Sequence, residues 1–171
     1  EYGNTILANE ALTIVNNYAS TFVNNQSSSG QWNNGSGAIQ TQLKRNFAVL
    51  LSYDVSPDSS SYLDAVKDNI DWIIANRWLP ATGGLTWTSP GGTEFYECHQ
   101  IWFMIAVKML YERSVGVYDY LSYGLDAWYF LTDNNYANID MYVHNYENHS
   151  AFMSYRQVWS SGSYQTDNGI S

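Results

Sequence analysis

Cysteine is almost missing from this chain. The single Cys98 among 171 residues excludes an internal disulfide framework and any zinc site built from several thiolates. Basic side chains are also scarce, with 7 Lys and Arg against 16 Asp and Glu, for a formal charge of −9. Nucleic acid and anionic membrane surfaces both reward Lys and Arg, so this balance argues against either as the main partner. Charged residues of both signs make up only 13% of the chain. Solubility must therefore come from Asn, Ser, Thr, Gln and Gly, a mix more usual outside cells than in the cytosol, and a secreted or cell-surface location is expected. No apolar run reaches the length of a membrane span, and the first residues lack the basic and apolar regions of a signal peptide, so any such signal is expected to have been removed already. There is no glycine loop with its phosphate-binding Lys, no Gly-x-Ser-x-Gly elbow and no dinucleotide fingerprint, which disfavours nucleotide-driven and esterase chemistry.

A hydrophobic share of 45% over this length supports one domain with a real core. The expected boundaries are 1–160 for that domain and 161–171 for a flexible polar tail. Seven Trp, fifteen Tyr and six Phe exceed what one core requires, and such a surplus is common in proteins that stack against sugar rings. Asn25-Gln26-Ser27, Asn34-Gly35-Ser36 and Asn148-His149-Ser150 are glycosylation sequons.

Apolar residues recur at three- and four-residue steps in six stretches. Leu7, Ala11, Ile14, Val15, Tyr18 and Phe22 predict a helix from about 4 to 24, and Ile39, Leu43, Phe47 and Leu50 a second that ends near Asp54. Leu63, Val66, Ile70 and Ile73 mark a third, and a fourth, very apolar helix runs from about Thr93 to Glu112. A fifth is expected from about Tyr118 to Thr132, and a sixth from about Tyr146 to Trp159 carrying Phe152, Tyr155 and Trp159. Odd and even helices recur at a nearly constant period, the mark of a repeat. The expected fold is therefore all-α: three consecutive helical hairpins forming an incomplete α/α-toroid, a half barrel with little or no β-structure. Gly30-Gln31-Trp32 and Gly84-Leu85-Thr86-Trp87 form a shared element before the first two even helices. The longer loops lie on that side, which places a ligand site at the N-terminal ends of those helices, where free amides and the helix dipole favour oxygen-rich ligands.

Two clusters fall at such ends. Glu94-Phe95-Tyr96-Glu97-Cys98-His99-Gln100 opens the fourth helix, and helical spacing would put Tyr96, His99 and Gln100 on one face with Glu97 beside it. These can supply a general base, a general acid and an orienting group. His144-Asn145-Tyr146-Glu147-Asn148-His149, followed by Tyr155 and Arg156, forms the second cluster. Its two His residues are five apart and do not share a helical face, so neither metal nor cofactor is expected.

The segments Asn148-His149-Ser150-Ala151-Phe152 and Gly91-Gly92-Thr93-Glu94-Phe95-Tyr96-Glu97-Cys98-His99 resemble the Asn-His and Tyr-x-x-His elements of the α/α-toroid polysaccharide lyases, particularly the alginate-lyase and heparinase II/III-like groups. The resemblance implies β-elimination on a uronic polysaccharide. Asn148 would neutralise the uronate carboxylate, His149 or His99 would abstract the proton, and Tyr96 or Tyr155 would protonate the leaving oxygen. The two elements stand here in the opposite chain order, and the ring is half length. The acidic balance suits a second class, a glycoside hydrolase on neutral glycan, which needs two carboxylates across the rim. Glu97 and Glu147 are the best pair, with Asp140 in reserve, while Trp32 and Trp87 would be stacking platforms and Gln100, Tyr155 and Arg156 further substrate contacts. A third class is non-catalytic: a carbohydrate-binding or self-assembling module, since an open ring leaves end faces that need a partner, whether a second copy of the chain or the missing half of the toroid.

Overall fold

The computed structural model describes residues 5–33, 38–56, 60–81, 83–87, 95–132, 156–160 and 163–167. These are mostly helical. Helix α1 covers Thr5–Asn24, α2 Ile39–Tyr53, α3 Ser60–Arg77, α4 Glu97–Arg113 and α5 Leu121–Thr132. Three short strands lie between α3 and α4: β1 (Trp78–Leu79), β2 (Gly84–Leu85) and β3 (Phe95–Tyr96). Two more follow α5, β4 (Arg156–Ser160) and β5 (Ser163–Asp167). β1 and β2 form a small hairpin, and β3, β4 and β5 an antiparallel sheet in that order. Among the described residues no helix is long and apolar enough to cross a membrane.

α2 and α3 bury most of the stripe that their sequence period marks out, whereas Leu7, Ile14, Val15 and Tyr18 of α1 and Leu121, Leu125 and Trp128 of α5 are exposed. On α2, Ile39, Gln42, Leu43, Asn46, Val49 and Leu50 face inward. Val66, Ile70 and Ile73 of α3 meet Phe103, Ala106, Val107 and Leu110 of α4 in the same core, joined by Ala127 of α5. α4 is not buried all round, because Ile105 in the middle of its apolar run is exposed. α2 and α4 lie side by side, with α3 against both and α5 against α4. Arg113 at the end of α4 locks this order: it donates to the Leu50 carbonyl at 3.2 Å and makes a two-pronged contact with the Asp54 carboxylate.

A repeat is visible in the polar core as well as in the helix order. Gly30 and Gly83, each in a turn after an odd helix, both have positive φ, at 87° and 73°. Gly30 rests on the backbone of Asp68 in α3, and Gly83 on the backbone of Asp126 in α5. Each turn thus docks on the odd helix of the following hairpin. A buried glutamine then clamps each turn from the next even helix. Gln42 accepts from the Trp32 amide at 2.9 Å and donates back to its carbonyl, while Gln100 does the same for Leu85, with both bonds at 2.8 Å.

The loop between α4 and α5 is tied down by phenols. Tyr120 donates to Asp71 at 2.6 Å and Tyr118 to Asp64, both on α3. Hydrogen bonding to Asp64 comes first in raising the Tyr118 hydroxyl above its ordinary value, whereas burial comes first for Tyr120, followed by its bond to Asp71. A group whose folded value is raised contributes stability that is complete below its unfolded value, about pH 10 for tyrosine. That contribution is lost as pH rises through the folded value. Thermal melts should therefore fall off above about pH 10, and the Tyr118→Phe, Tyr120→Phe double variant should melt lower at neutral pH with a shallower alkaline decline. Parallel alkaline slopes would show that these phenols do not hold the loop.

Four sequence expectations change. α4 begins at Glu97, because Phe95 and Tyr96 pair as a strand with Trp159 and Val158. Tyr96 is therefore not on the helical face of His99 and Gln100. Arg156–Ser160 is a strand rather than the end of a sixth helix, since its backbone bonds go to β3 and β5. Residues 146–155 of that expected helix lie outside the described residues. Ser163–Asp167, expected to be a loose polar tail, pairs along β4 from Arg156↔Asp167 to Ser160↔Ser163. α5 starts at Leu121, where the Asp119 carboxylate accepts from the Leu121 amide.

Candidate functional site

The first two turns of α4 carry His99 and Trp102, which pack with Trp87 from the preceding loop as a cluster of rings. His99 lies flat against Trp87, with ring centroids 5.1 Å apart and planes at 11°, and its other neighbour is Trp102 at 5.7 Å. Lys44 of α2 places its ammonium over the Trp102 ring, 5.6 Å from the centroid. Both indoles are half-buried and Lys44 is exposed, so the stack opens to solvent along one edge. Helical spacing sets His99 and Trp102 one turn apart on α4. Trp87 arrives from the loop, and the Gln100 clamp on Leu85, two residues earlier, holds it there. Thr86 adds a second tether by donating its amide and hydroxyl to the Arg77 carbonyl at 2.8 and 3.1 Å.

The two Gly-to-Trp elements are not equivalent in space. Gln42 clamps Trp32 whereas Gln100 clamps Leu85, so Trp32 matches Leu85 and Trp87 stands further out. Trp32 is 0% exposed, and its indole N–H donates to Asn46 at 2.8 Å. It is a core residue and offers no face to a sugar. Gln100 is equally buried and engaged with backbone, which makes it a support for the site rather than a substrate contact. His99 is 1% exposed. Its ring is stacked on Trp87 and tilted by 58° against Trp102.

Arg45, next to Lys44, points the other way. Its guanidinium lies 5.1 Å from the Phe22 ring and donates to the carbonyls of Asn33 and Trp32, so it braces the first turn. Burial lowers its pKa from the ordinary arginine value. Among the described residues no three His, Cys, Asp or Glu side chains gather as a metal-ligand group.

No family model, no curated protein and no solved structure matches this chain. Its function has to be read from its own residues. Of the positions singled out in the sequence, Trp87 and His99 come together, with Gln100 behind them. The backbone brings Tyr96 and Arg156 into one sheet leading into α4, Tyr96 opposite Val158 and Arg156 two residues away on the same strand. Glu97 is the first residue of α4. Glu147, Asn148, His149 and Tyr155 lie outside the described residues, as does Asp140. Trp102 and Lys44 were missed. Trp102 is one helical turn from His99, and Lys44 is one of only 7 basic residues, so spacing and scarcity were the available signals.

Proposed function

We propose that this chain is an extracellular, incomplete α/α-toroid domain that binds a glycan across the mouths of α2 and α4. The observation that carries this reading is the Trp87–His99–Trp102 stack with Lys44 at its edge. Half-buried indoles held rigidly by a helix and a clamped loop lose little freedom when a sugar ring settles on them, and Lys44 adds a donor for hydroxyl or carboxylate oxygen. Cleavage at the same place, by β-elimination or hydrolysis, is the enzymatic form of this reading. It would draw on Glu97 at the head of α4, on Glu147, Asn148 and His149, and on Tyr96 and Arg156 from the strands leading into α4.

Tryptophan fluorescence titrated with neutral and uronic oligosaccharides tests the binding step. Trp87→Ala and Trp102→Ala should each weaken binding about 10-fold, the loss expected for one aromatic contact of roughly 1–1.5 kcal/mol. New ultraviolet absorbance from unsaturated uronates during the titration would identify the lyase, and reducing ends without it the hydrolase. Unchanged fluorescence with every glycan would remove this reading.

A further inference from the structure

We infer, resting on the glycan reading above, that the site selects a sugar bearing a carboxylate and that Lys44 is the residue that makes the selection. Lys44 differs from the other described basic side chains in what it holds. Lys67 pairs with Asp68 and Asp71, Lys108 with Glu112 and Arg113 with Asp54. Arg45 and Arg77 donate to backbone carbonyls and lie against the rings of Phe22 and Trp72. Lys44 is exposed and has neither a carboxylate nor a carbonyl partner among the described residues; its contact is the Trp102 ring.

The repeat accounts for this lysine standing beside that ring. The shift that carries Gln42 onto Gln100 also carries Lys44 onto Trp102, so two even helices present a cation and an indole at equivalent positions. α2 and α4 lie side by side, and the ammonium reaches across to within 5.6 Å of the indole centroid. An ammonium on an exposed ring is held weakly, and it can leave the ring face for a stronger partner. A carboxylate is such a partner, because its bond from an ammonium is charge-assisted and roughly twice as strong as one to a sugar hydroxyl. A uronate carries its carboxylate at the edge of the sugar ring. Its apolar face can therefore lie on an indole while the carboxylate meets the ammonium beside it. The chain's charge of −9 repels anions at long range. At physiological salt that field is screened beyond about 8 Å, which leaves the choice to the contact with Lys44.

Calorimetric titration of the full chain with matched pairs of ligands tests the selection: oligomers of polygalacturonate and of alginate, each beside the same oligomer with its carboxylates reduced to alcohols. In any pair that binds, the wild type should hold the uronate about 5- to 10-fold more tightly, the margin between a charge-assisted and a neutral hydrogen bond. Lys44→Met keeps an apolar stem and removes the charge, and it should bind both members equally, at the affinity of the neutral one. Lys44→Arg should retain the preference. Trp87→Ala should weaken both members alike and leave their ratio unchanged, a result that a merely structural role for Lys44 would not separate from its own variants. Lys44 is exposed, so the circular dichroism and melting of its variants should match the wild type. A wild type that binds both members equally, or a Lys44→Met variant that keeps the preference, overturns the selection and leaves the glycan reading in place. Binding of no member of either pair removes the glycan reading, and the selection with it.

Discussion

Gly30→Ala should be among the most damaging single-atom additions in this protein, lowering stability by about 4 kcal/mol and the melting temperature by roughly 10 °C. Gly30 has a φ of 87°, where a side chain already costs about 1–2 kcal/mol. A Cβ there would lie 2.2 Å from the Asp68 carbonyl oxygen and 2.7 Å from its carbon. Both are backbone atoms in the middle of α3, so nothing can swing aside, and the turn would have to lift from the helix that positions the second hairpin. Gly83→Ala provides an internal comparison. Its backbone is similar, with a φ of 73°, but the nearest atom, the Asp126 carbonyl oxygen, is 3.1 Å away. A few tenths of an ångström of movement suffice, and the loss should be limited to about 1–2 kcal/mol of conformational strain. Thermal and urea unfolding of the two variants give the ranking directly. Equal losses would mean that the Gly30 turn does not sit on α3 as closely as described.

Gln100→Leu should lower stability by about 3 kcal/mol, because one amide serves two buried backbone groups. Leu85 is fully buried, and both its amide and its carbonyl are bonded to the Gln100 side chain at 2.8 Å. Leucine fills a similar volume and bonds to neither. Gln100→Glu retains an acceptor for the Leu85 amide but loses the donor to the carbonyl, and it buries a negative charge, so it should be at least as harmful at neutral pH. The effect should extend to the aromatic stack, since the clamp on Leu85 holds Trp87 against His99. Glycan affinity in Gln100→Leu should therefore fall about as far as in Trp87→Ala, roughly 10-fold, if ligand binds on those indoles. A variant that melts normally would show that water replaces the amide, and the clamp would not be what fixes the loop. Gln42→Leu is expected to match it in stability, because Gln42 also accepts from Asn69 at 2.7 Å.

The five described helices were legible because apolar residues at helical spacing mark a helix even where no described neighbour covers the stripe, as at Leu7, Ile14 and Val15 of α1 and Leu125 of α5. Ile39, Leu43 and Leu50 of the second stripe and Val66, Ile70 and Ile73 of the third are buried where the period put them. The strands were not legible. Phe95-Tyr96 is two residues long and its pairing partner lies some 60 residues away along the chain, whereas periodicity reports only neighbours. The segment up to Trp159 is aromatic-rich at spacings that suit either structure, so the local pattern could not reject the helix.

The candidate site divides along the same line. That Trp87 lies in the loop ahead of α4 and His99 near its head followed from the alternation of helices and loops alone. Which tryptophan faces solvent did not. Trp32 and Trp87 each follow a glycine in near-identical elements, yet one donates its indole N–H to Asn46 inside the core and the other stacks on His99. The difference is a two-residue displacement relative to the clamping glutamine, and it exists only once Gln42 and Gln100 have chosen their backbone partners across the fold. The sequence by itself determined the helical order, the charge balance and the residue types available at the rim, because these depend on local periodicity and composition. Tertiary structure alone decided which tryptophan is buried in the core and which is half-buried beside His99, and that Lys44 stands over Trp102. Those depend on contacts between helices that no local pattern encodes.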